Sequence, residues 1–400
     1  MSKNTSPPVD AMAARMLALA DACVLCGLCL PHCPTYRIDA RESESPRGRV
    51  MLLRAMAESA LSGMPSMIPD RSSIEALDHC IGCGRCEQVC PAKVRYSELW
   101  RLGRSRLRPS RRPLVAAALW ASRHPQIFAG LVACARPLRA LLPRRARRVM
   151  EATVPLQNAV SLRHFVSASA PAGSQRIGLL LGCVSRSLEP AALDAAHRLL
   201  HAAGHSVLAP DAQVCCGALD AHAGQGRHVE ALQERNRAVW RSMRIDRAVS
   251  VSSGCQGAFA ATLDGVAEVS DMLQFLAEDP GFARVKLRAM PMRVALHLPC
   301  SQRGLPGSVP ALRRLLARVP GLEVIDLPDT GCCGAGGAHM LQYPERAQAL
   351  RQPLVDALTT CGATTLLSAN IGCRLHLAQA DALDGIRIQH PLELLAEALP

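Results

Sequence analysis

Cys23, Cys26, Cys29 and Cys33 run into Pro34, and Cys80, Cys83, Cys86 and Cys90 run into Pro91, so one C-x2-C-x2-C-x3-C-P pattern is written twice. These are eight of the chain's eighteen cysteines. A tight Cys-x2-Cys loop turns two sulfurs inward while its amides face whatever they hold, which is the arrangement a cubane [4Fe–4S] cage requires. Gly27, Gly82 and Gly84 permit the backbone such loops demand, and the prolines redirect the chain after the fourth sulfur.

In this pattern the last cysteine of each run crosses to the other cluster. One cluster is expected to take Cys23, Cys26, Cys29 and Cys90, and the other Cys80, Cys83, Cys86 and Cys33. Cys-x2-Cys pairs also hold structural zinc. Two complete runs, each closed by proline, favour two [4Fe–4S] clusters.

Eight further cysteines form a second series. Cys183, the pair Cys215-Cys216 and Cys255 recur as Cys300, the pair Cys332-Cys333 and Cys373. The offset is 117 residues for the first three and 118 for the last, which marks an internal duplication. Adjacent cysteines suit a multi-metal cluster, where each sulfur takes a different iron, or a redox-active thiol pair. A structural thiol patch or a zinc site is the plainer alternative. The second copy is the richer, with Gly331, Gly334, Gly336 and Gly337 about its pair and His297, His339 and His376 near its cysteines. His376, three residues after Cys373, is the histidine placed to join as a donor; a lone histidine is otherwise a hydrogen-bonding core residue. Cys134 and Cys361 fit no pattern and are expected as buried thiols.

The elements that must position these sulfurs are legible in outline. Each copy has an apolar run ending at a cysteine, Ile177 to Leu181 or Val294 to Leu298, then a helical pattern, Pro190 to Ala203 or Val309 to Val319. A second strand, Ser206 to Ala209 or Glu323 to Leu327, leads to Cys-Cys-Gly. A third, Ala248 to Ser252 or Thr364 to Ser368, leads to Gly-Cys. Strands alternating with helices predict βαβ units and a parallel sheet, whose carboxyl edge is where such sheets hold ligands. The fold class is thus α+β followed by α/β: a helical two-cluster domain over 1–98, an arginine-rich helical connector over 99–170, and two duplicated parallel-sheet domains over 171–285 and 286–400. A helix over Arg47 to Leu61 is expected to join the two runs, and a small-residue linker, Ser167 to Ser174, to close the connector.

Composition narrows the classes. The net charge of +13 is matched by thirteen arginines between residues 99 and 150, a segment with no acidic residue or lysine. Its apolar blocks, Leu114 to Trp120 and Ile127 to Leu142, make it a candidate surface for an acidic partner or an anionic membrane face. A helical linker with a solvated arginine face is the alternative. Few aromatics and no recognised module argue against nucleic acid as a partner. No apolar run reaches membrane-spanning length. Eighteen cysteines without a visible export signal predict metal ligation in a reducing cytoplasm, with any membrane contact peripheral and on the inner face.

With these motifs on the page, the chain resembles the iron–sulfur electron-transfer subunits of glycolate oxidase, and more distantly those of anaerobic glycerol-3-phosphate dehydrogenase, lactate-utilisation and heterodisulfide reductase complexes. The resemblance runs nearly end to end and rests on Cys26-Gly27-Leu28-Cys29, Cys33-Pro34-Thr35-Tyr36, Ser45-Pro46-Arg47-Gly48-Arg49 and Val94-Arg95-Tyr96. It continues through Ser253-Gly254-Cys255, Cys332-Cys333-Gly334-Ala335-Gly336-Gly337 and Ala369-Asn370-Ile371-Gly372-Cys373 with His376. It implies two [4Fe–4S] clusters, with an additional cluster at a CCG (cysteine-rich) domain as a further candidate. FAD would sit on a partner, the FAD-binding glycolate oxidase subunits, and a quinone or other respiratory acceptor would stand beyond. One departure matters: the fuller heterodisulfide reductase motif ends in Cys-x2-Cys, and here Ala258 and His376 occupy the final positions. Gly334-Ala335-Gly336-Gly337 is not G-x-G-x-x-G and follows a cysteine pair, so substrate oxidation is expected on another subunit.

Overall fold

In the computed structural model, which describes residues 10–62, 70–107, 111–152, 174–329 and 331–400, the two cysteine runs hang from four helices. These are Ala11–Asp21, Pro46–Ser62, Arg71–Asp78 and Tyr96–Arg106. Asp10 and Asp70 cap two of them, accepting from Ala13 N at 3.0 Å and Ser73 N at 2.9 Å, which satisfies amides the first helical turn leaves unpaired. Their apolar faces meet in one core built on Met16, Leu53, Leu77, Leu99 and Trp100. Helices Pro46–Ser62 and Tyr96–Arg106 close to contact at Gly103, where any Cβ would stand 2.0 Å from Leu53 Cδ2.

The duplication folds as predicted, twice over. Strand β1 (Arg176–Leu180) lies between β2 (Ser206–Leu208) and β3 (Arg247–Ser250), with β4 (Val269–Asp271) outside β3. Strand β5 (Met292–Leu296) lies likewise between β6 (Leu322–Asp326) and β7 (Thr365–Leu367), with β8 (Arg387–Gln389) outside β7. Every pairing is parallel. The three apolar strands of each copy are those read from the sequence, shifted by one or two residues. The edge strands β4 and β8 escape such a reading, because Val269-Ser270-Asp271 and Arg387-Ile388-Gln389 carry no apolar run and become strands only by pairing.

The two copies do not fold apart. Helix Pro190–Ala202 of the first packs on Pro391–Glu397 of the second, and Met272–Glu278 of the first packs on Ser308–Ala317 of the second. The same pair of elements thus meets twice with the roles exchanged, and one core runs through both repeats from Ile177 and Leu199 to Leu312 and Leu392.

The connector forms helices Pro113–Arg123, Pro125–Ala135 and Arg144–Ala152. Part of its arginine face is solvated, at Arg112, Arg139, Arg144 and Arg145, and part is anchored to the repeats. Arg123 pairs with buried Asp220, Arg136 donates to the Ser187 carbonyl at 3.3 Å, and Arg148 donates to the Ala380 carbonyl at 2.7 Å. The linker expected over Ser167 to Ser174 lies, except for Ser174, outside the described residues. Cys134 is exposed on the connector and not buried, and Cys361 is half-buried.

Candidate metal centres

Cys33, Cys80, Cys83 and Cys86 line one small enclosed cavity, with Pro34, Thr35, Arg49, Ile81 and Tyr96. The last cysteine of the first run thus lies beside three cysteines of the second. Burial pushes the Cys83 and Cys86 thiols well up, with neighbouring sulfurs adding to the shift. Four thiolates cannot share this space unless a cationic centre neutralises them, and the irons of a cluster supply that charge. Tyr96 donates its hydroxyl to Cys80 Sγ at 3.4 Å, and Thr35 Oγ1 lies 3.3 Å from Cys33 Sγ. The loops take the backbone their glycines allow: φ is +81° at Gly27, +60° at Gly82 and +69° at Gly84.

The remaining four cysteines of the two runs lie nearer the surface. Cys26 is exposed, Cys23, Cys29 and Cys90 are half-buried, and Val24, Leu25 and Leu28 of the same loop face solvent. Cys23 and Cys90 flank the same helical core.

The cysteines of the duplicated half converge more closely than their sequence positions suggest. In the first copy, Cys215 and Cys255 lie near enough to Cys183 and Cys216 to disfavour ionisation of their thiols. In the second, Cys332 lies near enough to Cys300, and Cys333 to Cys332, to disfavour ionisation of the thiol, and Cys333 Sγ stands 2.6 Å from Cys373 Sγ. The pairs sit seven residues past β2 and six past β6, not directly at the strand ends. A left-handed glycine then turns the chain into the next element, φ +82° at Gly217 and +79° at Gly334.

All eight of these sulfurs line one cavity of about 440 Å³ where the two repeats face each other. Ile81 and Gly82 of the cluster domain close it, as do Leu119, Ser122 and Phe128 of the connector. Sequence reasoning missed the connector's part in this site, since no local pattern says which helix will cover a cavity formed by residues a hundred positions away. It also missed His222, whose Nε2 donates to the Ile81 carbonyl at 3.0 Å and joins the first repeat to the cluster domain.

His376 is buried, and its Nδ1 donates to the Cys333 carbonyl at 2.7 Å, so it braces the backbone of the cysteine pair. Burial lowers its pKa to about 4, as it does for His297, so both rings are neutral at pH 7. His297 Nδ1 lies 3.0 Å from Ser368 Oγ. His339 is also buried and pushed down to about 3 by burial.

The cluster domain and the second repeat pack together beside cysteines of each. Cys83 packs with Ile81 and Leu350 against Cys332, and Cys300 is near enough to disfavour ionisation of its thiol. Arg85 clamps the contact, donating to Asp329 Oδ2 at 2.7 Å and to the Gly331 carbonyl at 3.3 Å.

A helical module carrying two cysteine runs of cubane spacing, leading into paired cysteine-rich repeats around one cavity, defines an iron–sulfur electron-transfer subunit of an oxidoreductase. Residues 19–94 match the 4Fe-4S dicluster domain, and residues 177–260 and 294–378 each match the cysteine-rich domain known as CCG. The chain is 30% identical to the glycolate oxidase iron-sulfur subunit of Escherichia coli (strain K12), over 94% of each chain. It is 26% identical to the probable glycolate oxidase iron-sulfur subunit of Bacillus subtilis (strain 168), over 94% of this chain and 93% of that one. It is also 26% identical to a dihydromethanophenazine:CoB–CoM heterodisulfide reductase component of Methanosarcina barkeri, over 100% of this chain and 99% of that one. The chain belongs to the family of glycolate oxidase iron–sulfur subunits.

Proposed function

We propose that this chain is the iron–sulfur subunit of a glycolate dehydrogenase complex, carrying electrons from a flavin on a partner subunit to a respiratory acceptor such as a quinone. A flavin can split a hydride into two single electrons, and clusters accept electrons singly. The observation that carries the reading is the row of sulfurs. It runs from exposed Cys26, through the buried group of Cys33, Cys80, Cys83 and Cys86, to Cys300 and Cys332 and the shared cavity. In this reading Cys23, Cys26, Cys29 and Cys90 hold the entry cluster. Cys80, Cys83, Cys86 and Cys33 hold the inner one. Cys300, Cys332, Cys333 and Cys373, and then Cys183, Cys215, Cys216 and Cys255, form the far centre, with His376 as a brace. Domain limits of 1–98, 99–170, 171–285 and 286–400 fit this division of labour.

The connector supports a peripheral attachment to an anionic membrane face. Leu114, Trp120, Ile127, Leu131, Leu138 and Leu141 are exposed among arginines, an arrangement that suits the headgroup boundary of a bilayer. Among the described residues no helix is long and apolar enough to cross a membrane. Sedimentation with anionic vesicles that is released by salt supports the attachment; equal binding to neutral vesicles overturns its electrostatic part.

The test of function is anaerobic copurification with the flavin subunit, followed by iron and sulfide analysis and EPR. Reduction of the clusters by glycolate, only when the flavin subunit is present, supports the assignment. Reduction by lactate or glycerol 3-phosphate and not by glycolate moves the chain to a sister complex. Zinc without sulfide overturns the cofactor reading.

A further inference from the structure

Ser45-Pro46-Arg47-Gly48-Arg49 opens the helix Pro46–Ser62 between the two cysteine runs, and its two arginines diverge. Arg47 is partly exposed. It donates from Nη1 to the Leu25 carbonyl of the first run at 3.1 Å and from Nε to Glu42 at 2.7 Å. Arg49 is 1% exposed. Its Nη1 donates to Thr35 Oγ1 at 2.9 Å and stands 3.9 Å from Cys33 Sγ, while its Nε donates to the Ala76 carbonyl at 2.7 Å. Tyr96, also buried, donates to Cys80 Sγ at 3.4 Å. Arg49 and Tyr96 therefore line the same small cavity as Cys33, Cys80, Cys83 and Cys86.

We propose that Arg49 and Tyr96 are positioning residues that raise the reduction potential of the inner cluster and so draw electrons inward from the exposed one. Reduction adds a negative charge to a centre already ringed by four thiolates, and burial alone opposes it. A guanidinium beside one sulfur and a hydroxyl donor on another offset that cost, and in the interior their effect is little screened. Glu44 pairs with Arg49 at 2.6 Å and also meets His79 at 2.6 Å and Arg346 at 3.2 Å, the last itself paired with Asp39 at 2.6 Å; Glu44 takes Nη2 of Arg49, so Nη1 remains the donor face turned toward Thr35 and the Cys33 sulfur. Arg47 has no such leverage, because its cation is partly in water and bonds a backbone carbonyl, not a sulfur. The step is a transfer of one electron, oxidising the outer cluster as it reduces the inner, with no bond made or broken.

This inference rests on the two-cluster reading. Fewer than about eight irons in the wild-type protein would defeat that reading, and this inference with it, whereas about eight irons with an unmoved inner midpoint would defeat this inference alone. The test is an EPR-monitored redox titration of the anaerobically purified protein, with the inner signal identified as the one lost in Cys33→Ala. Arg49→Met is expected to lower the reduced-to-oxidised ratio of the inner cluster about tenfold at the wild-type midpoint, or about 59 mV for one electron, and to leave the outer cluster where it was. Arg49→Lys, which keeps the charge, should restore most of the shift. Tyr96→Phe should move the same midpoint in the same direction by less. If Arg49→Met loses its iron, Arg49→Lys and Tyr96→Phe decide. An inner midpoint unmoved in Tyr96→Phe, or both clusters shifting equally in any variant, overturns the proposal.

Discussion

Arg123 of the connector lays its Nη2 2.6 Å from Oδ1 of Asp220, a carboxylate with 0% exposure on the short helix that follows Cys215-Cys216-Gly217. The arginine-rich segment is thereby bolted to the wall of the sulfur-lined cavity. Burial holds the Asp220 carboxyl above the usual range in spite of the guanidinium beside it. Removing the arginine strands a buried charge, and Arg123→Ala is expected to cost about 3–5 kcal/mol. Replacing both partners, as in Arg123→Met with Asp220→Leu, should recover most of that. Anaerobic urea unfolding measures both; equal stability of the single variant and the wild type would mean that the connector is not clamped here.

The crossover of Cys33 can be separated from a simple two-run arrangement by iron counting. Cys33→Ala and Cys83→Ala should each lose about four of about eight irons, and the double variant should lose no more than either. Cys33→Ala with Cys26→Ala should lose both clusters. If the first pair proved additive and the second did not, each run would be holding its own cluster.

Glycines after the two cysteine pairs are expected to respond differently to the same change. A Cβ at Gly334 would stand 2.2 Å from the Ala347 carbonyl oxygen, whereas at Gly217 the nearest atom is 3.5 Å away. Both adopt positive φ, so a left-handed alanine costs each about 1–2 kcal/mol. Gly334→Ala also forces helix Pro344–Thr360 outward, which adds about 1–3 kcal/mol of overpacking. Paired melting curves check this, with matching shifts in the two variants as the contrary result.

Asp271, at the end of β4, accepts from Ser308 Oγ of the other repeat at 2.9 Å, and burial lifts its carboxyl to about 6 from 3.8. The native state therefore keeps a proton that the unfolded chain releases. That contribution is complete below about pH 4 and is lost as pH rises through about 6, leaving the ionised form about 3 kcal/mol worse off. Asp271→Asn should be more stable than the wild type at pH 7, with an advantage that shrinks steadily toward pH 4. An advantage that stays constant across this range in pH-dependent unfolding would refute the raised pKa.

Amino-acid order was enough for whatever depends on local spacing. Two C-x2-C-x2-C-x3-C-P runs and three apolar strands per copy are short-range patterns, the 117-residue offset merely repeats such local words, and each strand appears in the fold where the spacing put it. Such features survive reading because the chemistry of a Cys-x2-Cys loop and the period of a buried strand are set within a few residues. The edge strands β4 and β8 were not legible, since three polar-flanked residues become a strand only when a neighbour offers its open edge. Nor was the exposure of Cys134, which depends on which face of its helix the rest of the molecule covers. It took the folded chain to turn the two cysteine-rich copies toward a single cavity, with Leu119 and Phe128 of the connector helping to enclose it. Folding likewise brought Cys83 to the second copy at Cys332 and sent two arginines, with only Gly48 between them, to different sulfur groups. Those are relations between distant segments, fixed by burying apolar surface and pairing buried charge across the whole chain, and no local spacing encodes them.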